Sequence, residues 1–212
     1  MSQISTTHFT SDSSPAGVEP VSSHLRAALD GRSIVLVGMM GAGKSSVGRR
    51  LAASIGLPFM DADAEIERAA GMSVEEIFRN HGEAHFRDGE ERVIRRLLSE
   101  GPMVLATGGG AFMSERIRSL VGEQAISIWL RAGLDLLMER VSRRDNRPLL
   151  KTADPRATMA RLMEERSPVY ALADITIESR DVAHEVIVED ALAALARHLS
   201  SRPVQAAGAT HA

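Results

Sequence analysis

The sequence contains no cysteine, which excludes a disulfide-stapled scaffold and any zinc site built on thiolates. It is also nearly without lysine: of 25 basic residues only Lys44 and Lys151 are lysine, and the rest are arginine. No apolar run approaches the ~18 residues that a membrane-spanning helix needs. A formal net charge of −3 argues against broad electrostatic binding to nucleic acid or anionic lipid, leaving room for a local basic cleft. The first 23 residues hold no Lys or Arg and no apolar core, so they fit neither a secretory signal nor a transit peptide. Being rich in Ser and Thr, residues 1–23 are expected to form a disordered leader, and residues 200–212 a flexible tail. The freedom from cysteine fits a reducing, cytoplasmic setting.

What remains, residues 24–199, is long enough for one domain with a real core, and the 44% hydrophobic and 25% charged residues of the whole 212-residue chain are ordinary globular values. Residues 24–31 read as a short helix stopped at Gly31. "SIVLVG" (33–38) is a β-branched run suited to a strand buried on both faces. Residues 44–55 carry apolar positions at helical spacing and stop at Gly56. "LPFMDAD" (57–63) reads as a second strand, followed by helix over 64–99 with interruptions near Gly71 and Gly82. "MVLATGGGA" (103–111) predicts a third strand running into glycines, with a helix from about Ser114. "AISIWL" (125–130) is a fourth strand before a helix over 134–143. The charged, proline-containing segment 143–155 breaks the rhythm. A helix over 155–172, a strand at "DITIES" (174–179) and a helix closing near His198 complete the pattern. Strand and helix alternating in this way imply a parallel sheet covered on both faces, with ligands at the carboxyl ends of its strands.

Between the first strand and its helix lies Gly38-Met39-Met40-Gly41-Ala42-Gly43-Lys44-Ser45, a full match to G-x4-G-K-[ST]. The glycines let successive N–H groups turn toward phosphate oxygens, and the following helix adds its positive end. Lys44 would supply charge to the β and γ phosphates and Ser45 a hydroxyl to Mg²⁺. A lysine here, in a chain that otherwise uses arginine, fits a loop too tight for a guanidinium.

Several phosphate-loop classes can be set aside. Neither lysine follows an asparagine, so the N-K-x-D element that reads guanine is missing. The third strand ends in "VLATGGG" without the metal-holding carboxylate of motor or transporter ATPases. A small-molecule or nucleotide kinase remains, and three other groups could supply its parts. Asp61 and Asp63, two apart in an extended segment, share a face and could serve as metal-water ligand and proton acceptor; helix capping by one of them is as plausible. Arg87 and Glu90, three apart on a helix, read first as a surface ion pair, and Arg166 as a surface helix residue. Glycines 108–110 permit close backbone approach to a ligand or make a plain turn. "SRRDNRPLL", within a lid of about 143–152, offers arginines to ATP phosphates, or is an exposed charged loop.

"GMMGAGKSSVGRRLA", "FMDADAEIE", "FRDGEE", "LATGGGA", "NRPLL" and "ERSPVY" stand in an order and spacing that resembles the shikimate kinase family, over about residues 33–180. The resemblance implies a phosphate-loop kinase fold of the nucleoside-monophosphate-kinase type: a five-stranded parallel sheet flanked by helices, with a lid and a substrate-binding helical segment. It implies transfer of the γ-phosphoryl of ATP to the 3-hydroxyl of shikimate, on the route to chorismate and the aromatic amino acids. Asp63 then matches the substrate-contacting proposed base, and Arg87 and Arg166 the clamp on the shikimate carboxylate. Gly109 matches a backbone contact to substrate, and Arg147 the lid arginine on the ATP phosphates. Gly41, Ala42, Gly43, Lys44, Ser45 and Ser46 match the nucleotide loop. Lys44 and Arg147 join Asp63 as catalytic candidates, with Ser45 the ligand to one Mg²⁺ per subunit and Asp61 a secondary, water-mediated one. Glu90 is expected to orient Arg87. The family resemblance implies a monomer acting on small molecules, with neither nucleic acid nor membrane as partner. A gluconate-kinase-like enzyme and a non-catalytic nucleotide-binding regulator remain the alternatives.

Overall fold

The computed structural model describes residues 21–143 and 152–201. The described residues form one five-stranded parallel sheet in the order β2-β3-β1-β4-β5, with β1 Ser33–Val37, β2 Phe59–Asp61, β3 Val104–Ala106, β4 Ala125–Arg131 and β5 Ile175–Glu178. β1 lies at the centre and all five of its residues are buried. That explains the apolar run 34–37 that follows its buried Ser33, since a parallel strand covered on both faces has no solvent side. From β1 the chain leaves for the edge strand β2, returns to β3 beside β1, then crosses to β4 on the other flank. The order therefore reverses at the carboxyl end of β1, the crevice where such sheets bind ligands.

The helices are α1 Val21–Ala28, α2 Lys44–Ile55, α3 Ala62–Ala70, α4 Val74–Ser99, α5 Glu115–Gln124, α6 Leu134–Ser142, α7 Pro155–Tyr170 and α8 His184–Ser201. A short 3₁₀ turn at Ala111–Met113 precedes α5. α2 has the bounds its spacing predicts and buries Val47, Gly48, Leu51, Ala52 and Ile55, a single stripe at helical period. Gly56, in the left-handed region at φ 68°, ends it by donating back to the carbonyls of Ala52 and Ala53. The expected interruptions also appear. Gly71 caps α3, and Gly82, at φ 80° and ψ 173°, breaks α4 into two helical pieces. Ser73 and Glu76 form a reciprocal capping box at the start of α4.

Several boundaries differ from the sequence pattern. α1 begins three residues before the predicted start, and β2 covers only three of the seven residues in "LPFMDAD". β2 stops at Asp61 because Asp61 caps α3, its side chain accepting the Asp63 N–H at 3.2 Å. Asp63 therefore sits in the first turn of a helix, where it was expected in an extended segment. α7 ends at Tyr170, and Pro168 stands within it.

α2 lies close on the sheet because Gly48 carries no side chain: a Cβ there would fall 2.6 Å from a ring carbon of Phe59 and 2.9 Å from a methyl of Leu36. Leu36 is fully buried, so it has little freedom to yield. Gly48→Ala is expected to lower stability by about 1–3 kcal/mol in urea unfolding, the usual cost of overpacking. Stabilisation of up to about 1 kcal/mol, as helix propensity alone would give, would contradict this packing.

Candidate active site

The loop between β1 and α2 takes its shape from three glycines in positive-φ conformations: Gly38 at 133°, Gly41 at 82° and Gly43 at 95°. Gly38 is also constrained sterically, because a Cβ there would lie 2.6 Å from the backbone oxygen of Leu130 on β4. The loop thus passes between neighbouring strand ends at backbone distance. Lys44 opens α2 and folds back over the loop, its Nζ donating to Gly38 O at 2.8 Å and Met39 O at 3.0 Å. Ser45, in the first turn of the same helix, donates its hydroxyl to Asp61 Oδ2 at 2.6 Å. Ser45 and Asp61 thus put a hydroxyl and a carboxylate side by side, both hard oxygen donors of the kind Mg²⁺ prefers. Among the described residues no cluster of three or more His, Asp or Glu could cage a metal, so phosphate and water would have to complete its shell.

Two clefts meet at this point. The larger is lined by the loop residues Gly41, Gly43, Lys44, Ser45 and Ser46, with Asp61, Thr107, Arg140 and His184 around it. The second is walled by Val74, Phe78 and Phe86 and carries Arg87, Glu90, Gly108, Gly110 and Arg166. Met40, Asp63 and Gly109 line both. Asp61 and Asp63 do reach the same region, as their spacing suggested. The reason is different: one ends a strand and caps a helix while the other lies in that helix's first turn.

The first and last glycines of the triplet are crowded by side chains. A Cβ on Gly108 would come 2.6 Å from Glu90 Oε1 and 2.9 Å from Asp63 Oδ1, and one on Gly110 would strike the Arg87 guanidinium, with Cζ at 2.6 Å. Neither residue has a positive φ, so what a side chain here would disturb is the placement of Glu90, Asp63 and Arg87 rather than the turn itself. Gly109 presents its carbonyl to two donors, Arg166 Nη1 at 3.1 Å and the hydroxyl of Tyr170. Burial pushes the Tyr170 phenol up to about 12, so it keeps its proton and remains a donor.

The surface readings of Arg87–Glu90 and Arg166 are corrected. Glu90 is 0% exposed and holds Arg87 Nη1 at 2.7 Å, while Glu83 takes Nη2 at 2.9 Å. Arg166 is only 9% exposed. The helices carrying them face the cleft rather than solvent, which a sequence pattern of charge at spacing three cannot reveal. Arg147 and most of the expected lid lie outside the described residues. Sequence reasoning missed Arg140, whose guanidinium bonds Ser179 Oγ and Arg180 O at 2.9 and 2.8 Å, and the apolar wall of Phe78 and Phe86, rings 4.7 Å apart. Arg140 had no local signal, since its partners lie about forty residues away. Tyr170, the only tyrosine, stands at the end of "ERSPVY", where nothing in the sequence marks it as a donor to Gly109.

A phosphate loop at the switch point of a parallel sheet, joined to a second cleft holding two arginines, defines a phosphate-loop kinase of small molecules. The family model described as shikimate kinase matches residues 40–196. The shikimate kinase of Rhodopseudomonas palustris is 60% identical over 190 residues, covering 90% of this chain and 94% of that protein. That of Bradyrhizobium diazoefficiens is 62% identical over 173 residues, covering 82% and 84%. Among solved structures, shikimate kinase from Acinetobacter baumannii in complex with shikimate matches with TM-score 0.76 and 38% identity, over 79% of this chain and 94% of that one. A gluconokinase from Sinorhizobium meliloti matches with TM-score 0.54 and 23% identity, over 80% and 94%, which is likeness of fold alone. The chain belongs to the shikimate kinase family.

Burial raises the Glu90 pKa above its ordinary value of 4.5, outweighing the opposing pull of the Arg87 charge. The native state therefore binds the Glu90 proton more tightly than the unfolded chain does. Its stabilising contribution is full below pH 4.5 and is lost as pH rises through the raised value. Urea unfolding of wild type and Glu90→Gln across pH 4 to 8 should show wild-type stability falling relative to the variant as pH rises. Wild-type stability that instead rises relative to the variant with pH would mean that the ion pair dominates.

Proposed function

We infer that the chain transfers the γ-phosphoryl group of ATP to the 3-hydroxyl of shikimate, giving shikimate 3-phosphate and ADP, on the route to chorismate and the aromatic amino acids. The observation that carries this reading is the junction of the phosphate-loop cleft with an arginine-bearing cleft at Asp63, Met40 and Gly109. Shikimate offers a carboxylate at one end and hydroxyls at the other, and this cleft offers Arg87 and Arg166 with Asp63. Guanidiniums suit the carboxylate through paired, charge-assisted hydrogen bonds. Phe78, Phe86 and Val74 suit the carbocyclic ring.

In this mechanism most of the acceleration comes from placing the acceptor oxygen in line with the γ-phosphorus and from neutralising charge. The loop amides of Gly41, Ala42, Gly43, Lys44, Ser45 and Ser46 hold the phosphates at the positive end of α2. Lys44 exchanges its hydrogen bonds to the Gly38 and Met39 carbonyls for phosphate oxygens. Asp63 orients the 3-hydroxyl and accepts its proton as the oxygen bonds to phosphorus. Glu90 holds Arg87 in place, and the Gly109 carbonyl does the same for Arg166. Mg²⁺, one per subunit and accompanying ATP, suits the oxygens of Ser45 and Asp61 and would supply charge neutralisation when bound. We take the catalytic domain to span 24–199, between leader and tail. Its lid over about 143–152 brings Arg147 to the ATP phosphates and excludes water.

We place this activity in the cytoplasm, carried out by a monomer on small-molecule substrates. Among the described residues no helix is long and apolar enough to cross a membrane. Light scattering during gel filtration tests the monomer.

Coupled ATP-consumption assays with shikimate, gluconate and no acceptor should give turnover with shikimate alone. Activity with gluconate alone would mark a gluconate kinase, and activity with neither acid a nucleotide-binding regulator. Asp63→Asn should lower kcat by roughly 10²- to 10⁴-fold with little change in ATP affinity, and near-normal turnover would remove Asp63 from the proton-accepting role. Arg87→Ala should raise the KM for shikimate while ATP binding stays intact; unchanged shikimate binding would misplace the carboxylate clamp.

A further inference from the structure

Ser179 follows the last residue of β5 and is 5% exposed. Its N–H donates to Arg131 O at 2.6 Å, which carries the pairing of β5 with β4 one residue further. Its hydroxyl lies 2.9 Å from Ala42 O, in the middle of the phosphate loop, and 2.9 Å from Arg140 Nη1. A carbonyl can only accept and a guanidinium can only donate, so the hydroxyl must donate to Ala42 and accept from Arg140. Arg140 is anchored in turn, its Nη2 donating to Arg180 O at 2.8 Å. A fixed chain thus runs from a cation on α6, through the end of β5, to a peptide of the phosphate loop.

We propose that Ser179 is a positioning residue for the nucleotide phosphates, acting through the Ala42–Gly43 peptide. In a trans peptide the C=O and N–H point opposite ways. With Ala42 C=O held toward Ser179, the Gly43 N–H is turned away from β5 and into the cleft that Gly43 lines. Gly43, at φ 95°, belongs to the residue type with the widest backbone freedom, so an external hold on its preceding carbonyl restricts it most. The Arg140 charge also polarises the hydroxyl, and through it the peptide, making the Gly43 N–H a stronger donor to an anion. The loop thereby enters each encounter with ATP already shaped, and less ordering cost remains for binding.

The kinetic part of the test rests on the activity inferred above, and the binding part does not. For Ser179→Ala in the full chain, the KM for ATP and the calorimetric Kd for Mg²⁺–ADP should both rise roughly 3- to 10-fold, the worth of one buried hydrogen bond. The KM for shikimate should not move, and Ser179→Thr, which keeps the hydroxyl, should restore nucleotide affinity. Where the alanine variant fails to fold, Ser179→Cys keeps the volume with a much weaker donor and should show a smaller shift in the same direction. Unchanged ADP affinity in Ser179→Ala or Ser179→Cys would overturn the proposal. So would equal losses toward ATP and shikimate, or failure of threonine to restore. A wild-type chain that ignores shikimate, alongside a Ser179→Ala chain that binds ADP weakly, would sink the function and leave this inference standing.

Discussion

Lys44 donating to the carbonyls of Gly38 and Met39 is the interaction around which the rest of the site is arranged. It holds a cation over the carboxyl end of β1 before any ligand arrives, and it can do so only because the loop doubles back within six residues. That reversal needs left-handed backbone at Gly41 and Gly43, and at Gly38 a residue with no Cβ to meet Leu130 O. The sheet order does the remainder. With β3 on one flank of β1 and β4 on the other, the crevice opens at that strand end and the first turn of α2 points into it.

A second constraint is crowding around residues 108–110. Glu90, Asp63 and Arg87 approach this turn so closely that a Cβ on Gly108 or Gly110 would displace them, while Gly109 uses its carbonyl to hold Arg166 and Tyr170. One backbone turn therefore sets the relative places of two arginines, the acid that steadies one of them, and Asp63. The glycines also let these charges sit near one another, with Glu90 and Arg166 buried. That strengthens every electrostatic interaction and makes an unpaired charge costly.

The parts of the molecule visible in the sequence were those fixed by neighbours along the chain. β1, the phosphate loop, the stop of α2 at Gly56 and the breaks at Gly71 and Gly82 all follow from local periodicity and backbone freedom. Asp61 and Asp63 were correctly brought together, but by strand alternation, whereas a helix start achieves it. Arg87, Glu90 and Arg166 looked like surface charge because burial is decided by elements distant in sequence, and only the family resemblance pointed to a carboxylate clamp. Ser179 and Arg140 gave no sign at all. Their meaning lies in hydrogen bonds to Ala42 and to each other across 137 and 39 residues.

The central claim is that the phosphate loop makes the chain a kinase while the arginines of the adjoining cleft choose what it phosphorylates. Turnover of shikimate against its methyl ester, at saturating ATP, tests that choice most directly, because the ester keeps every hydroxyl and gives up only the anionic end. Without a carboxylate to receive them, both guanidiniums forgo a charge-assisted hydrogen bond, which predicts a fall in kcat/KM of about 10²-fold or more for the ester. An ester phosphorylated as efficiently as the acid would contradict the account.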